Sequence, residues 1–198
     1  MERTMARPSL KDKRRQEILA AFARCVALYG LEGATLEKIA AEAGVARPAV
    51  RHFVGNRDEL VEALTAFVKK DYSTKLDGLF AILPQEGRVQ AAIDLLFDPA
   101  HFSSSDDIAL AQALTAASRQ YPSAGKMLAG WIASFDRRLT GELRTAFPGA
   151  DEKAVSAVSF GIISLYFNID ALSVLGLPDH MAGAAKDAAE RLVDTLKG

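Results

Sequence analysis

The sequence has few of the groups that disulfides, metal sites and catalytic centres require. It holds one cysteine, Cys25, so neither an internal disulfide nor a cysteine-based metal site can form. The three histidines, His52, His101 and His180, lie far apart without a metal-ligand spacing. A GxSxG sequence, a phosphate-binding glycine loop and an acidic pair in an apolar setting are also absent. We therefore expect no catalytic residue, no metal and no cofactor.

Long uninterrupted apolar runs and secretory signals are missing as well. The longest apolar stretch, VSFGIISLYFNIDALSVLGL, is broken by Gly161, Asn168 and Asp170, so we expect no transmembrane helix. The beginning, MERTMARPSLKDKRRQEIL, is basic but has no apolar segment before a cleavage site. These features predict a cytoplasmic protein without a membrane partner.

Signals for β-strands are absent, because no run alternates Val, Ile and Thr. Alanine-rich segments with apolar residues three and four apart predict helices instead, in an all-α protein of about nine helices. Caps, glycines and prolines set their expected bounds. The predicted helices are Asp12–Tyr29, Leu36–Ala43, Arg47–Val54, Arg57–Pro84, Arg88–Phe97, Asp106–Gln120, Ser123–Phe147, Asp151–Gly176 and Asp179–Lys197.

The stretch IAAEAGVARPAVRHF, at positions 39–53, has the pattern of a helix-turn-helix. Gly44 suits a turn that needs a left-handed residue, and Ala40 is small where the two helices cross. The motif also needs apolar contacts between its helices and the first helix. The positions that meet this need are Leu36, Ile39, Ala43, Val45, Val50 and Phe53. Because these requirements are coupled, together they indicate the motif strongly.

The outward face of the second motif helix is small or positive, and no acidic residue occurs from Gly44 to Arg57. Small side chains let the backbone approach the major groove, and Arg47 can donate to O6 and N7 of guanine. Other side chains are better placed to bind phosphates, which fix the register on DNA. The predicted DNA-binding residues are Thr35, Ala46, Arg47, Pro48, Ala49, Arg51, His52 and Arg57. The alternative for each cation is an ordinary solvated charge.

The segment ATLEKIAAEAGVARPAVRHFVGNRDELVEAL resembles the DNA-binding domain of the TetR family of transcriptional regulators. The resemblance covers residues 12–65 and implies nine helices, a homodimer paired through the last two helices, and an effector pocket in the second domain. Two positions depart from the family pattern. Ala46 stands where many members have a capping Ser or Thr, and Arg51 stands where a tyrosine often contacts phosphate.

The charge distribution agrees with a DNA-binding amino-terminal end. Residues 1–70 hold 13 Lys/Arg against 9 Asp/Glu, whereas residues 71–198 hold 11 against 16. A basic part joined to an acidic remainder suggests that one end meets a polyanion. We predict a helix-turn-helix domain over residues 1–56, with a basic arm at 1–11. The regulatory, ligand-binding and dimerisation domain is predicted over residues 57–198.

The last two predicted helices carry apolar stripes interspersed with small residues. Two such helices from each subunit would form a four-helix interface in a two-fold dimer. The predicted interface residues are Val155, Val158, Gly161, Ile162, Leu165, Ala184, Ala188 and Leu192. The alternative is that both helices pack only onto their own core.

Aromatic residues concentrate in the second half of the chain, where they would form either a core or a ligand cavity. Asn168 and Asp170, polar residues within an apolar helix, would orient a ligand or bond across the dimer. The predicted pocket residues are Phe67, Phe97, Phe102, Leu114, Leu128, Trp131, Phe135, Phe167, Asn168 and Asp170.

The function favoured by these features is a homodimeric repressor that binds double-stranded DNA at a palindromic operator. A small apolar or amphipathic effector would release it. One alternative is a helical DNA-binding or interaction protein without a small-molecule ligand. An enzyme is the other, and it lacks the convergent acid, base, nucleophile or metal groups that catalysis needs.

Overall fold

The computed structural model describes residues 9–178 and 180–197. Within these ranges every regular element is helical, which confirms the all-α prediction. The helices are α1 (Leu10–Gly33), α2 (Leu36–Glu42), α3 (Arg47–Val54), α4 (Arg57–Ala81), α5 (Arg88–Leu96), α6 (Ser105–Ala117), α7 (Pro122–Ala146), α8 (Glu152–Leu172) and α9 (His180–Asp194). Short 3₁₀ turns follow α5 and α8. Residues 1–8 of the predicted basic arm, and Asp179 at the predicted start of the last helix, lie outside the described residues.

Side-chain caps explain where the first helix begins. Ser9 Oγ accepts a hydrogen bond from the backbone N–H of Asp12 at 3.1 Å, and the Asp12 carboxylate accepts from the N–H of Ser9. This capping box starts α1 at Leu10, two residues before the predicted position. Gly30 has φ of 69°, so the helix is broken near its predicted end and resumes for one further turn.

The fourth helix begins with the cap that the sequence predicts. Asn56 Oδ1 accepts from the backbone N–H of Glu59 at 3.0 Å, and the Glu59 carboxylate accepts from the Asn56 N–H at 2.7 Å. At the other end, the Arg88 guanidinium donates to the carbonyl oxygens of Phe80 and Leu83. These donors satisfy carbonyl groups that the end of a helix leaves unpaired.

The described residues group into two compact units. The first contains the chain up to Asp71 together with Asp106–Leu128, and the second contains Tyr72–Ser105 and the chain from Ala129 onward. Both α4 and α7 therefore contribute residues to each unit. The predicted boundary between residues 56 and 57 separates a DNA-binding domain from a regulatory domain. It is a boundary between functions and not between these compact units, and it stays a prediction.

In the first unit, α1 packs on α2 and α3. The buried residues of these three helices include Ile18, Phe22, Val26, Ile39, Ala40 and Val50. Cys25 lies in the same core, and burial raises the pKa of its thiol. A neutral, buried thiol is the inert state that the helical setting of Cys25 predicts.

In the second unit, α8 packs on α9, and α5 also contacts α9. The fully buried residues of its core include Ala92, Ile93, Leu139, Leu143, Ile162 and Ala189. Gly161 permits a close approach of α9, because a Cβ atom there would lie 2.7 Å from Leu192 Cδ1. Small residues on α8 therefore serve packing within one chain.

One apolar segment meets the length and composition test for a membrane span. The segment Glu152–Leu175 is long and apolar enough to cross a membrane by length and composition, despite the interruptions at Gly161, Asn168 and Asp170. Its apolar character has another explanation, since Val155, Val158 and Ile163 belong to the hydrophobic core of the second unit. A core helix of a globular protein meets the same test, so the finding is weak evidence for a membrane span.

Candidate nucleic-acid interface

The turn between α2 and α3 has the geometry expected of a helix-turn-helix. Gly44 adopts φ of 63°, the left-handed conformation that glycine adopts without steric cost. The backbone N–H of Val45 donates to the carbonyl oxygen of Ala40 at 2.9 Å, which closes the turn. At the start of α2, Thr35 Oγ1 accepts from the N–H of Lys38, so Thr35 is a helix cap as expected.

The third helix is fixed to the domain by one face and exposes the other. Val50 and Val54 are buried, whereas Ala46, Arg47, Pro48, Arg51 and His52 are exposed and Ala49 is half-buried. The backbone of Ala46 has the extended conformation of an N-cap, yet its side chain makes no capping hydrogen bond. The structure thus brings small and positive residues together on one accessible face.

The cations on this face differ in their surroundings. Arg47 Nη1 lies 2.9 Å from Glu37 Oε1, and both side chains remain more than half exposed. The His52 ring meets the Phe53 ring edge-on, with centroids 5.0 Å apart. Arg51 is exposed in the last turn of α3. Each of the three side chains is accessible to a ligand from solvent.

Arg57 does not share this setting. Its guanidinium donates to the carbonyl oxygen of Ala34 at 2.9 Å and to that of Leu31, and it lies 5.4 Å from the centroid of the Phe22 ring. These groups hold the side chain half-buried against the end of α1. Arg57 thus has a structural role at the end of α1, where its donors satisfy backbone carbonyls, and its predicted phosphate contact stays a prediction.

Glu37 is a residue of this region that sequence reasoning did not assign. It lies in the first turn of α2, where acidic residues are common, so its position gives no signal of a special role. Ten residues separate it from Arg47, and only the folded turn brings the two side chains together.

The second unit contains a cluster of six aromatic rings on α4, α7 and α8, called here the aromatic cluster. Its members are Tyr72, Phe80, Trp131, Phe135, Tyr166 and Phe167. Trp131 stands between Tyr72 and Phe167, with centroid distances of 5.0 and 5.3 Å. Among the described residues, Trp131 Nε1 is the buried side-chain nitrogen or oxygen without a hydrogen-bond partner. A buried indole N–H without an acceptor is uncommon, because burial removes it from water without a compensating hydrogen bond.

The predicted pocket residues are distributed over both units. Trp131, Phe135 and Phe167 belong to the aromatic cluster, while Phe97 and Phe102 contribute to the core of the second unit. Phe67, Leu114 and Leu128 belong to the first unit. The predicted set is therefore divided between the two units. Helical periodicity suggested the set, and periodicity does not indicate which helices pack together.

The two polar candidates of α8 point in different directions. Asp170 is buried, and its carboxylate accepts a hydrogen bond from the backbone N–H of Ser103 at 2.6 Å. The pKa of the nearby Tyr166 hydroxyl is raised, mainly because the hydroxyl is buried and secondly because of the negative charge of Asp170. Its interaction with Ser103 opposes this shift. Asn168, in contrast, is exposed and lines a groove between α8 and α9.

This groove has a volume of about 940 Å³. Its lining residues are Gly161, Ser164, Leu165, Asn168, Ala184, Asp187, Ala188, Arg191, Leu192 and Thr195. Five of the predicted interface residues are among them. Val155, Val158 and Ile162 are instead fully buried in the core of their own chain, which corrects their assignment to the interface. Phe160, missing from the prediction, is 72% exposed on α8.

Within residues 9–178 and 180–197, no group of three or more His, Cys, Asp or Glu side chains is arranged to hold a metal ion. The site that the structure presents is thus an exposed cationic helix face on a helix-turn-helix, within an all-helical chain. This combination defines the class of helical DNA-binding regulators.

Comparisons with known proteins find a family match over the helix-turn-helix region. Residues 18–64 match the family model described as bacterial regulatory proteins, tetR family. Over 87 residues the chain is 30% identical to the HTH-type transcriptional regulator PksA of Bacillus subtilis (strain 168), in a match that covers 43% of this chain. The match spans 42% of that curated relative, which is less than half of its length.

Solved structures extend the likeness over the whole fold. A TetR-family transcriptional regulator from Cytophaga hutchinsonii has a TM-score of 0.75 at 15% identity, covering 96% of this chain and 98% of that chain. A protein of Pseudomonas aeruginosa PAO1 assigned as a transcriptional regulator has a TM-score of 0.71 at 22% identity, covering 93% and 90%. Residues 18–64 are therefore similar to the TetR family of bacterial regulatory proteins, and the solved structures show that the chain shares their fold.

Proposed function

We propose that this chain is a cytoplasmic, homodimeric transcriptional repressor that binds a palindromic DNA operator and is released by a small apolar or amphipathic effector. The observation that carries the proposal is the exposed face of α3. Arg47, Arg51 and His52 project from it beside small residues, and no acid lies between Gly44 and Arg57 in the sequence.

Such a face fits the major groove, which is wide enough to admit an α-helix. Ala46, Pro48 and Ala49 allow close approach, and Arg47 supplies a bidentate donor for guanine. Arg51, His52 and Thr35 supply phosphate contacts, which account for much of the affinity of DNA-binding proteins and make it depend on salt.

Dimerisation would double the number of bases that are read. In a two-fold dimer the same surface of each subunit forms the interface, so that surface must be complementary to a second copy of itself. The groove between α8 and α9 meets this need, because it combines apolar residues with Asp187 and Arg191, which have opposite charges. Phe160 supplies a large exposed apolar side chain on α8. Two recognition helices would then enter major grooves about 34–36 Å apart.

The aromatic cluster is the proposed effector site. Its rings offer apolar and stacking surface, and the unpaired Trp131 Nε1 offers one hydrogen-bond donor. An effector would release DNA if it bound more tightly to a conformer unsuited to the operator. Tyr72 and Phe80 lie on α4, the continuous helix that begins at Arg57 immediately after α3. A displacement of α4 would thus reach the DNA-binding helices.

Ring contacts in the aromatic cluster favour a second candidate function. The rings pack against each other at centroid distances of 5.0–6.4 Å, as core residues do. On this evidence the second half would be a dimer scaffold without a ligand. A thermal-shift survey of small apolar compounds distinguishes the two functions, since a ligand that binds the folded state raises its melting temperature.

The DNA-binding proposal is tested by selecting duplexes from a random-sequence pool with the full chain. We expect recovery of a palindromic sequence whose affinity falls steeply as salt increases. Arg47→Ala should reduce discrimination between the selected duplex and its single-base variants by about 1–3 kcal/mol. A uniform loss on all duplexes would contradict the base contact, and recovery of no sequence would contradict the function.

A further inference from the structure

The arginine that we assign to base recognition is paired with an acid from the preceding helix. Arg47 Nη1 and Glu37 Oε1 are 2.9 Å apart, and their side chains are 58% and 59% exposed. A DNA phosphate or base can therefore reach either partner. For Arg47 to contact DNA with its full set of donors, this ion pair must open or rearrange.

The surroundings of Glu37 favour its charged form. Its own backbone N–H is the main cause that lowers the pKa of the Glu37 carboxyl group, and the charge of Arg47 lowers it further, while loss of hydration opposes the shift. A carboxylate thus faces Arg47 on the DNA-facing side of the motif.

We propose that Glu37 is a positioning residue for DNA specificity: it retains Arg47 when the duplex lacks a matching guanine and gives it up when guanine is present. This inference rests on the proposed DNA-binding function. It makes the Arg47–Glu37 pair an internal competitor of DNA, so a residue that contacts no base limits the affinity and the discrimination that Arg47 provides.

The physical basis is the similarity between two acceptors. A carboxylate offers two oxygens to a guanidinium, and guanine offers O6 and N7 in a comparable arrangement. Transfer of Arg47 from Glu37 to guanine therefore exchanges one acceptor for another. On other bases Arg47 would lose a partner without replacement, so it stays with Glu37, and an acidic side chain remains near the phosphates.

An exposed ion pair makes a small contribution, so the expected effect is modest and depends on salt. In the Glu37→Gln variant, Arg47 is free to contact any duplex. We expect affinity for the matched duplex to rise by about twofold to fivefold, because Arg47 no longer has to leave an ion pair, and affinity for a scrambled duplex to rise less. The ratio of matched to scrambled affinity should therefore rise.

Glu42→Gln provides the matched control. Glu42 lies on the same helix α2, and its carboxylate also pairs with an arginine, Arg24, at 2.6 Å. Neither residue belongs to the proposed DNA-binding face. Both variants remove one negative charge from the domain, so Glu42→Gln reports the general electrostatic gain in affinity. It should strengthen binding to both duplexes equally and leave their ratio unchanged.

The experiment uses the full chain, the duplex that the wild-type chain selects from a random pool, and a scrambled duplex of equal length and composition. Affinities of wild type, Glu37→Gln, Glu42→Gln, Arg47→Ala and the double variant Glu37→Gln/Arg47→Ala are measured at low and moderate salt. Circular dichroism establishes that each variant retains its helices. The ratio should rise in Glu37→Gln but not respond to that substitution once Arg47 is replaced.

Three results would overturn the inference. An unchanged ratio in Glu37→Gln would reduce Glu37 to a surface charge, and a lower ratio would reverse its role. A rise that persists in the Arg47→Ala background would show that Glu37 acts through another group. These outcomes differ from failure of the proposed function, in which the wild-type chain itself would select no duplex.

Discussion

The helix-turn-helix and the α8–α9 region expose different kinds of side chain. The binding face of the first is easier to predict from the sequence than that of the second. On α3 the outward residues are small or cationic while Val50 and Val54 face inward, so chemistry separates surface from core. On α8 both sides are apolar. Ile162 is fully buried, whereas Phe160, two positions earlier, is 72% exposed. A binding face made of charge is therefore easier to recognise in a sequence than one made of hydrophobic residues.

Phe135 and Phe160 provide the largest test of this difference. Phe135 is buried among the rings of Phe80, Tyr166 and Phe167, so Phe135→Ala leaves a cavity. We expect the free energy of unfolding to fall by about 3–5 kcal/mol, measured by urea denaturation. The same substitution at Phe160 should change unfolding of the monomer little. Equal losses would show that the Phe160 ring stabilises the monomer as much as a core ring does. The reason for assigning Phe160 to an interface would then be lost.

Dimerisation through the α8–α9 face makes a second prediction. Phe160→Glu places a charge in the proposed interface and should weaken the dimer by about 2 kcal/mol or more, as loss of a central apolar anchor does. Sedimentation velocity across a concentration series measures the shift. Ile132→Glu is the control, because Ile132 is also an exposed apolar residue, at 43%, but lies on α7 and not on the proposed α8–α9 face. Dimers unaffected by Phe160→Glu would place the interface elsewhere.

Arg57 and Arg51 test which cations of the amino-terminal region serve DNA. Arg57→Met keeps the aliphatic part of the side chain but removes donors to Leu31 and Ala34, so we expect a stability loss of about 1.5–3 kcal/mol. Arg51→Met should leave stability unchanged and reduce the salt dependence of DNA binding by about one phosphate contact. Thermal denaturation and DNA titrations at several salt concentrations check both. A stable Arg57→Met variant with a reduced salt dependence of DNA binding would instead assign Arg57 to the DNA interface.

A smaller effect concerns the ion pair between Arg88 and Glu142 in the second unit. A hydrogen bond from Arg88 at 2.7 Å is the main cause that lowers the pKa of Glu142 below its ordinary value of 4.5. Because the pKa is lower in the folded state, the pair stabilises the fold above pH 4.5, and this is lost as pH falls through the folded-state pKa. Acidification should lower the free energy of unfolding of the wild type by about 1 kcal/mol more than it lowers that of Glu142→Gln. Parallel pH profiles of urea unfolding would contradict the assignment.

Much of the fold follows from local sequence signals. Gly44 is left-handed, Asn56 caps α4, and the helix boundaries lie within a few residues of their predicted positions. The start of α1 differs because the cap of Ser9 was not recognised. These features depend on neighbouring residues, so periodicity and capping chemistry are sufficient to predict them.

The parts of the site that could not be predicted depend on contacts between distant segments. The Arg57 side chain turns toward carbonyls 23 and 26 residues away, and Glu37 reaches Arg47 across the turn. Val155, Val158 and Ile162 lie on the core side of α8, a choice that a helix apolar on both sides leaves open. Phe67, Leu114 and Leu128 join a different unit from the other predicted pocket residues. Helical periodicity fixes which residues share a face, but not what that face packs against.

The central claim is that the exposed face of α3 lies in the major groove of DNA. Dimethyl sulfate reacts with N7 of guanine in the major groove and with N3 of adenine in the minor groove, so protection from methylation measures the contact directly. On the selected duplex we predict protected guanines in two half-sites, with loss of one protected guanine per half-site in Arg47→Ala. Protection confined to adenine, or a pattern unchanged by Arg47→Ala, would contradict the claim.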